Sequence, residues 1–560
     1  MMRNVKHLDV LTAFVINLFI LIVCMLWGGK FYLGFSDDYF MARILEGAYG
    51  DSYNVRMVFV NVLYGYVLLP LYYLFPKIGW YYIGEIFAVF ISFTTVSYVM
   101  IKKMGMQWGS IFSTLLIACF ARDFYLTVQF TQCAAALGAA GMVLFIYALD
   151  NGLSHKKIIF FALFLVIWGY CMRGEAFLMG LPFFVCTMLF FVRNVFDCRC
   201  RFGLCILIMF CGLWGAKLIN DLHYSIPEYQ KFLEYQPHRV MLGDMHNYDE
   251  DIVFDEIEEE GLYGEDYSLL KGWVFYDSEI FSTDSLKRIT NKIIKYTHPL
   301  KWSVMPVAFL YRFDCSIVHP CCWAYCIICL ILLLNGGRRS LYIWGGGVVM
   351  LIMMSYLIYL IRLVYRVEVG LWFYATVLAI PLLNGCQSIS RRVFTVILGS
   401  VLAAFAVYFY FMGNFQRTPS RGRLLEISLQ ETVRNNYQEV FEYMESLPEN
   451  TIFLMPMWIY QSFSRYREPL YFSAPIGSWK RIVSFGFWTP YFPDIENSLR
   501  QYGVENPMRN VVKENVVVLG REDVLLDFLH RHYYKNVRID TLRSIGLINF
   551  FKYSEGELDD

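Results

Sequence analysis

The chain has 560 residues, 57% of them hydrophobic and only 17% charged, and its 48 basic residues balance 48 acidic ones. Apolar runs longer than the roughly 20 residues that cross a bilayer exclude a water-soluble globular protein. The neutral total gives no basic footprint for nucleic acid, so the first partner implied is the lipid bilayer itself.

Charge is sorted by position along the chain. Basic clusters recur at Arg3/Lys6, Lys102/Lys103, His155/Lys156/Lys157, Arg193/Arg199/Arg201, Arg338/Arg339 and Arg391/Arg392. By the positive-inside rule these loops are cytoplasmic, and the acidic or aromatic loops between them face outward. Spans are then expected near 10–29, 79–101, 108–122, 126–148, 158–172, 176–192, 203–220, 315–335, 341–361, 370–386 and 393–413, about eleven in all, with the N-terminus cytoplasmic and the C-terminus extracytoplasmic. The first run, Val10 to Trp27, lacks a small-residue cleavage site and is expected to stay as an uncleaved helix. Val58 to Phe75 is apolar enough to span, but counting it would reverse every later basic loop. It is therefore expected as an interfacial helix, a depth that suits Tyr64, Tyr66, Tyr72, Tyr73 and Pro76-Lys77.

The fold class that follows is mainly α: a polytopic membrane helix bundle over 1–413, with outer loops near 30–78 and 221–303, and a small extracytoplasmic α/β domain over 414–560. In that last part a helical pattern from Leu424 to Met444 precedes β-rich runs at Thr451 to Met455 and Asn515 to Gly520. A helix from Leu525 to Tyr533 and a strand near Ile548 to Tyr553 follow. Thr131 to Gly141, rich in alanine and glycine, reads as a close helix-packing face. The acidic stretch Asp249 to Glu260 has no EF-hand pattern and reads as solvated surface. The 15 cysteines show neither zinc spacing nor a disulfide framework and read as small hydrophobes.

Chemistry is sought among charged groups at the outer boundary. Gly34-Phe35-Ser36-Asp37-Asp38-Tyr39 puts two carboxylates directly after the first span. With Ser36 as N-cap they would suit the first turn of a helix, a structural role. Placed at a lipid boundary, they are also candidates to take a proton from a hydroxyl or to hold a divalent cation, Mg or Mn, beside a lipid phosphate. Arg173 closes a span in Met172-Arg173-Gly174-Glu175, where a cation needs a partner: either Glu175 or a phosphate. Arg362 and Arg366 bracket another outer boundary and suit phosphate oxygens, or snorkel as helix ends do. Arg122-Asp123 reads as a self-satisfying pair, and Asp123 with Glu175 makes a second acidic candidate. GxSxG, HExxH and P-loop patterns are absent, so serine hydrolysis, zincin chemistry and ATP use have no support.

Taken in order, Asp37/Asp38, Pro70-Leu71-Tyr72, Gly79-Trp80, Arg122-Asp123, Arg173-Gly174 and Arg366 resemble the motifs of the GT-C superfamily of polyprenyl-phosphate-sugar-dependent membrane glycosyltransferases. The motifs cover about the first 220 residues, and the chain has Asp-Asp where many members have Asp-Glu. The resemblance implies a plasma-membrane glycosyltransferase whose lipid-linked donor enters from the bilayer, its phosphate at Arg173, Arg366 or Arg362. The acceptor, a cell-surface glycan, lipid or protein, would approach from outside and be activated by Asp37 or Asp38, with inversion at the anomeric carbon. A polysaccharide polymerase or a lipid or oligosaccharide flippase is the alternative; neither especially requires the acidic pair. The topology is testable with a membrane-impermeant thiol reagent. A cysteine introduced near Ser420 should label from outside and one at Lys102 only after permeabilisation, and the reverse pattern would overturn the orientation.

Overall fold

The computed structural model describes residues 5–27, 36–243, 250–294, 301, 303–311, 319–412, 439–460, 472–520 and 525–556. Among the described residues, twenty α-helices lead up to the last part of the chain. They are α1 (Val5–Trp27), α2 (Ser36–Leu45), α3 (Val62–Leu74), α4 (Trp80–Met104), α5 (Met106–Tyr125), α6 (Phe130–Asp150) and α7 (Lys156–Met172). The short α8 (Gly174–Leu178), α9 (Leu181–Met188) and α10 (Val192–Asp197) lead to α11 (Arg199–Tyr224). The insertion after α11 holds α12 (Pro227–Gly243), α13 (Glu250–Glu259), α14 (Gly264–Lys271) and α15 (Thr283–Ile293). After it come α16 (Met305–Tyr311), α17 (Pro320–Asn335), α18 (Tyr342–Tyr359), α19 (Tyr365–Val377) and α20 (Arg391–Met412).

Each expected span coincides with helix, and among the described residues seven helical segments are long and apolar enough to cross a membrane. The segment expected near 176–192 is a run of short helices, α8 to α10, within the apolar stretch Gly174–Asp197. Helix α3, at 13 residues, reaches only about 20 Å, short of the hydrocarbon core. One face, with Tyr64, Leu68 and Tyr72, is buried while Tyr66, Val67 and Tyr73 are exposed, as an interfacial helix requires.

Helix α6 is the post of the bundle, with 94% of its apolar window buried against 11% for α11 and 6% for α20. Its glycines permit this. A Cβ on Gly141 would lie 2.8 Å from the Ala162 carbonyl oxygen, and one on Gly169 would lie 2.9 Å from the Gly138 nitrogen, so α6 and α7 meet backbone to backbone.

The C-terminal domain is built on a five-stranded sheet in the order β2-β1-β3-β5-β4, with β1 (Ile452–Met455), β2 (Ile482–Ser484), β3 (Val516–Gly520), β4 (Val537–Ile545) and β5 (Ile548–Glu555). Strands β2, β1 and β3 are parallel; β3, β5 and β4 are antiparallel. Residues 439–446 are helical, α21 spans Pro493–Gln501 and α22 spans Leu526–His532. The helix expected from Leu424 lies outside the described residues up to 438.

This domain sits on α2 and the chain that follows it. The Phe40 ring stacks on Tyr460 at 4.6 Å, Tyr49 and Tyr460 share a hydroxyl hydrogen bond of 2.6 Å, and the Trp479 amide donates to the Ala48 carbonyl at 2.8 Å. Below it lies a buried ion pair, Arg43 to Glu46, at 2.5 Å. Glu46 also accepts the Ala474 amide at 2.9 Å and the Tyr72 hydroxyl at 3.4 Å, and so joins the C-terminal domain, α2 and α3. Removing one partner of a buried pair costs about 3–5 kcal/mol, whereas an exposed pair is worth about 0–1 kcal/mol. Glu46→Ala should therefore lower the unfolding midpoint in detergent and open the tail to protease, while Lys480→Ala, which removes the surface pair with Asp51, should leave both nearly unchanged.

Candidate active site

Asp37 and Asp38 lie in the first turn of α2, as expected; the Ser36 side chain expected as N-cap lies outside the described residues. The two carboxylates have different surroundings. Asp38 is fully buried, and its Oδ1 accepts the Phe130 amide at 2.9 Å and the Tyr81 hydroxyl at 3.2 Å. It thereby satisfies one of the orphan amides at the N-terminus of α6, where the helix dipole also favours an anion. Asp37 keeps 18% of its side chain exposed and faces Arg366 on α19, Oδ2 to Nη2, at 3.9 Å.

Arginines from three parts of the chain act on Asp37: Arg366, Arg173 and, from α12 of the outer insertion, Arg239. Burial nevertheless pushes the Asp37 carboxyl above the ordinary aspartate value, with the three guanidiniums pulling it back down. Burial also pushes Asp38 up, to about 7, a rise opposed by the Phe130 amide and reinforced by the charge on Asp37. A carboxylate with a raised pKa is the stronger base, so Asp37 is a better proton acceptor than a solvated aspartate.

Arg173 caps α7, and its Nη1 donates to Thr131 Oγ1 at 2.8 Å while the guanidinium lies 4.9 Å from the centre of the Phe130 ring. Its ion pair with Glu175 is loose, 3.7 Å to a carboxylate that is 83% exposed. The Arg173/Glu175 pair is thus a weak one. Arg362 follows α18 and donates its amide to the Leu357 carbonyl at 2.7 Å; among the described contacts, none ties it to Asp37.

Asp123 has partners from the far end of the chain rather than its neighbour alone. It accepts the Tyr365 hydroxyl, receives Cys321 Sγ at 3.5 Å and lies 3.9 Å from His319 Nε2. Asp123, His319 and Cys321 each offer one ligand atom, all within 4.8 Å of one another, and could hold a metal ion. A carboxylate, imidazole and thiol set suits zinc better than the Mg or Mn expected from sequence. The acidic pair offers a cation less, because Asp38 Oδ1 receives two donor hydrogens and Asp37 faces a guanidinium.

Sequence reasoning did not single out Glu85, Arg239, His319 or Cys321. Glu85, on α4, is fully buried within side-chain hydrogen-bonding reach of Asp38. Its signal was available: a lone acid in the apolar run Ile83 to Phe93. Arg239 carries no such mark in its surroundings, and only the folded insertion brings it in.

No family model and no curated protein matches the chain. Solved structures similar to it include ArnT from Cupriavidus metallidurans bound to undecaprenyl phosphate, at 10% identity over 98% of both chains with a TM-score of 0.41, and the oligosaccharyltransferase of Archaeoglobus fulgidus in the apo form, at 12% identity over 91% of this chain and 69% of that one with a TM-score of 0.37. If Arg173 serves a ligand rather than Glu175, Glu175→Ala should change the unfolding midpoint and the activity little, consistent with about 0–1 kcal/mol for such an exposed pair. Arg173→Ala should instead leave folded protein with a raised KM for a phosphate-bearing donor. Equal loss of folded protein in both variants would return Arg173 to a structural role.

Proposed function

We propose that the protein is an inverting membrane glycosyltransferase that moves a sugar from a polyprenyl-phosphate donor to an extracytoplasmic acceptor. The observation that carries this reading is Arg366 set 3.9 Å from one partly exposed carboxylate, Asp37, at the end of a membrane bundle, with Arg173 and Arg239 within electrostatic reach of the same carboxylate. Asp37 takes the proton of the acceptor hydroxyl as its oxygen attacks the anomeric carbon. The bond to the lipid phosphate breaks on the opposite face, and Arg366 and Arg173 stabilise the phosphate charge that develops. Attack by one external nucleophile gives inversion, unlike the two-carboxylate retaining route. The planar guanidinium fork suits phosphate oxygens, and a boundary site lets the isoprenoid tail remain in lipid. The Asp123, His319 and Cys321 cluster would be the place for a resident metal ion, and no step is assigned to it.

Undecaprenyl phosphate carrying a labelled sugar is the first donor to try with the purified protein. Asp37→Asn keeps the shape and hydrogen-bonding oxygen of the side chain but removes its charge, and it should lower transfer about 10²–10⁴-fold with folded protein intact. The rate of the unaltered enzyme should rise with pH through an apparent pKa above the ~3.9 of a free aspartate, because the base must be ionised and burial raises it. Unimpaired transfer by Asp37→Asn would remove the proposed base, whereas absence of transfer by the unaltered protein would favour a flippase or polymerase.

A further inference from the structure

Asp38 and Glu85 form a carboxyl pair inside the bundle with no cation recorded between them. Both side chains have zero exposure. Glu85 lies five residues into α4, about 8 Å along its axis from the outer end. Asp38 Oδ1 is satisfied by Phe130 and Tyr81, but Asp38 Oδ2 and both Glu85 carboxylate oxygens are buried without a hydrogen-bond donor among the described residues. The groups within electrostatic reach of the pair are Asp37 on α2, Tyr64 on α3, Tyr81 on α4, Cys133 on α6, Arg173 at the end of α7 and Arg366 on α19. Arg366 and Arg173 are the cations among them; Arg366 is set against Asp37, and Arg173 donates to Thr131 and faces Glu175. Two desolvated carboxylates in contact repel unless a proton lies between them, and a buried acceptor left unsatisfied costs about 1–3 kcal/mol. One shared proton removes both penalties, because a carboxylic acid donates where a carboxylate only accepts.

We propose that Glu85 is held as a carboxylic acid that donates to Asp38 Oδ2, and that this shared proton makes Glu85 a positioning residue for the neighbouring base Asp37. With both oxygens engaged, Asp38 is fixed against the first turn of α6, and the direction in which Asp37 leaves α2 is fixed with it. No proton is consumed; the pair keeps a single negative charge throughout the cycle. The catalytic half of the inference rests on Asp37 being the base, whereas the shared proton does not.

Infrared spectroscopy of the resting protein should show a protonated carboxyl C=O stretch that shifts on [¹³C]glutamate labelling and disappears in Glu85→Gln. Labelling uses the unaltered chain, so the result does not depend on a variant folding. Glu85→Gln retains a donor to Asp38 and should keep kcat within a few fold. Glu85→Leu, which cannot donate, should lower kcat about 10²-fold by misplacing the base while leaving the donor KM nearly unchanged. The unaltered enzyme should also lose activity at alkaline pH as the shared proton leaves and the pair repels, a limb absent from Glu85→Gln. A resting protein without the glutamate-sensitive band, or a Glu85→Gln as impaired as Glu85→Leu, would overturn the proposal. The band together with full activity in Asp37→Asn would instead leave the shared proton standing and sink the base assignment.

Discussion

The N-terminal turn of α6 is the constraint on which the site depends. The Phe130 amide takes Asp38, the Thr131 hydroxyl takes Arg173, and the Phe130 ring lies under the same guanidinium. A carboxylate from the first turn of α2 and an arginine from the end of α7 are thus referenced to consecutive residues of one helix. That helix is the most buried span of the bundle, and its close glycine contacts with α7 leave it little room to shift. The spacing between acidic and basic groups is consequently set by the rigid centre of the molecule rather than by loops. Catalysis by proximity requires this, since a displacement of about 1 Å can cost two orders of magnitude in rate.

Above this fixed point the two outer parts of the chain close over α2. The C-terminal domain covers it through Phe40, Tyr49 and Glu46, and the insertion contributes Arg239, which is itself held by Gln236 at 3.0 Å and lies over the Trp273 ring at 5.2 Å. The insertion and the C-terminal domain are joined to each other: Phe275 donates its amide to the Phe485 carbonyl at 2.9 Å, and buried Asp266 accepts Arg531 and His532 at 2.7 and 2.8 Å. Gly486 has to be glycine, because a Cβ there would fall 2.0 Å from the Trp273 carbonyl oxygen. The acidic stretch of the insertion pairs through Glu256, Glu259 and Glu260 with Lys292 and Arg288 of α15, so much of its charge is used in surface ion pairs.

What could be read in the sequence followed from how local each signal is. Span positions come from runs of apolar residues and from the basic clusters between them, and each coincides with helix. The interfacial placement of α3 followed from charge bookkeeping rather than hydropathy, and its 13-residue length agrees. Strands β1 and β3 are continuous apolar runs buried on both faces and were legible; β4 is exposed along most of its length and β2 has three residues, so neither carries a clear period. In the site, Asp37, Asp38, Arg173 and Arg366 were marked by charge at a boundary, and the structure brings these four together. Arg362 bore the same mark, yet no described contact brings it in, because snorkelling helix ends and ligand groups look alike in sequence. His319 and Cys321 meet Asp123 only through the packing of α17 on α5, a pairing about 200 residues apart in sequence.

The charged groups are graded by depth. Asp38 and Glu85 have no exposure, while the side chains of Asp37, Arg366 and Arg173 retain 18%, 19% and 28%. A ligand arriving from solvent or from the lipid boundary therefore meets the guanidiniums and Asp37 first. Under the proposed function, a donor phosphate would be held at that level by charge, with the deeper acids repelling it from going further. Buried ionisable groups are seldom the most stable choice, since well-packed apolar side chains of similar volume usually do as well or better. Acids behind an arginine-rich entrance make sense when the depth at which an anion stops has to be controlled. In the proposed reaction that depth is the level of Asp37, the carboxylate set against Arg366.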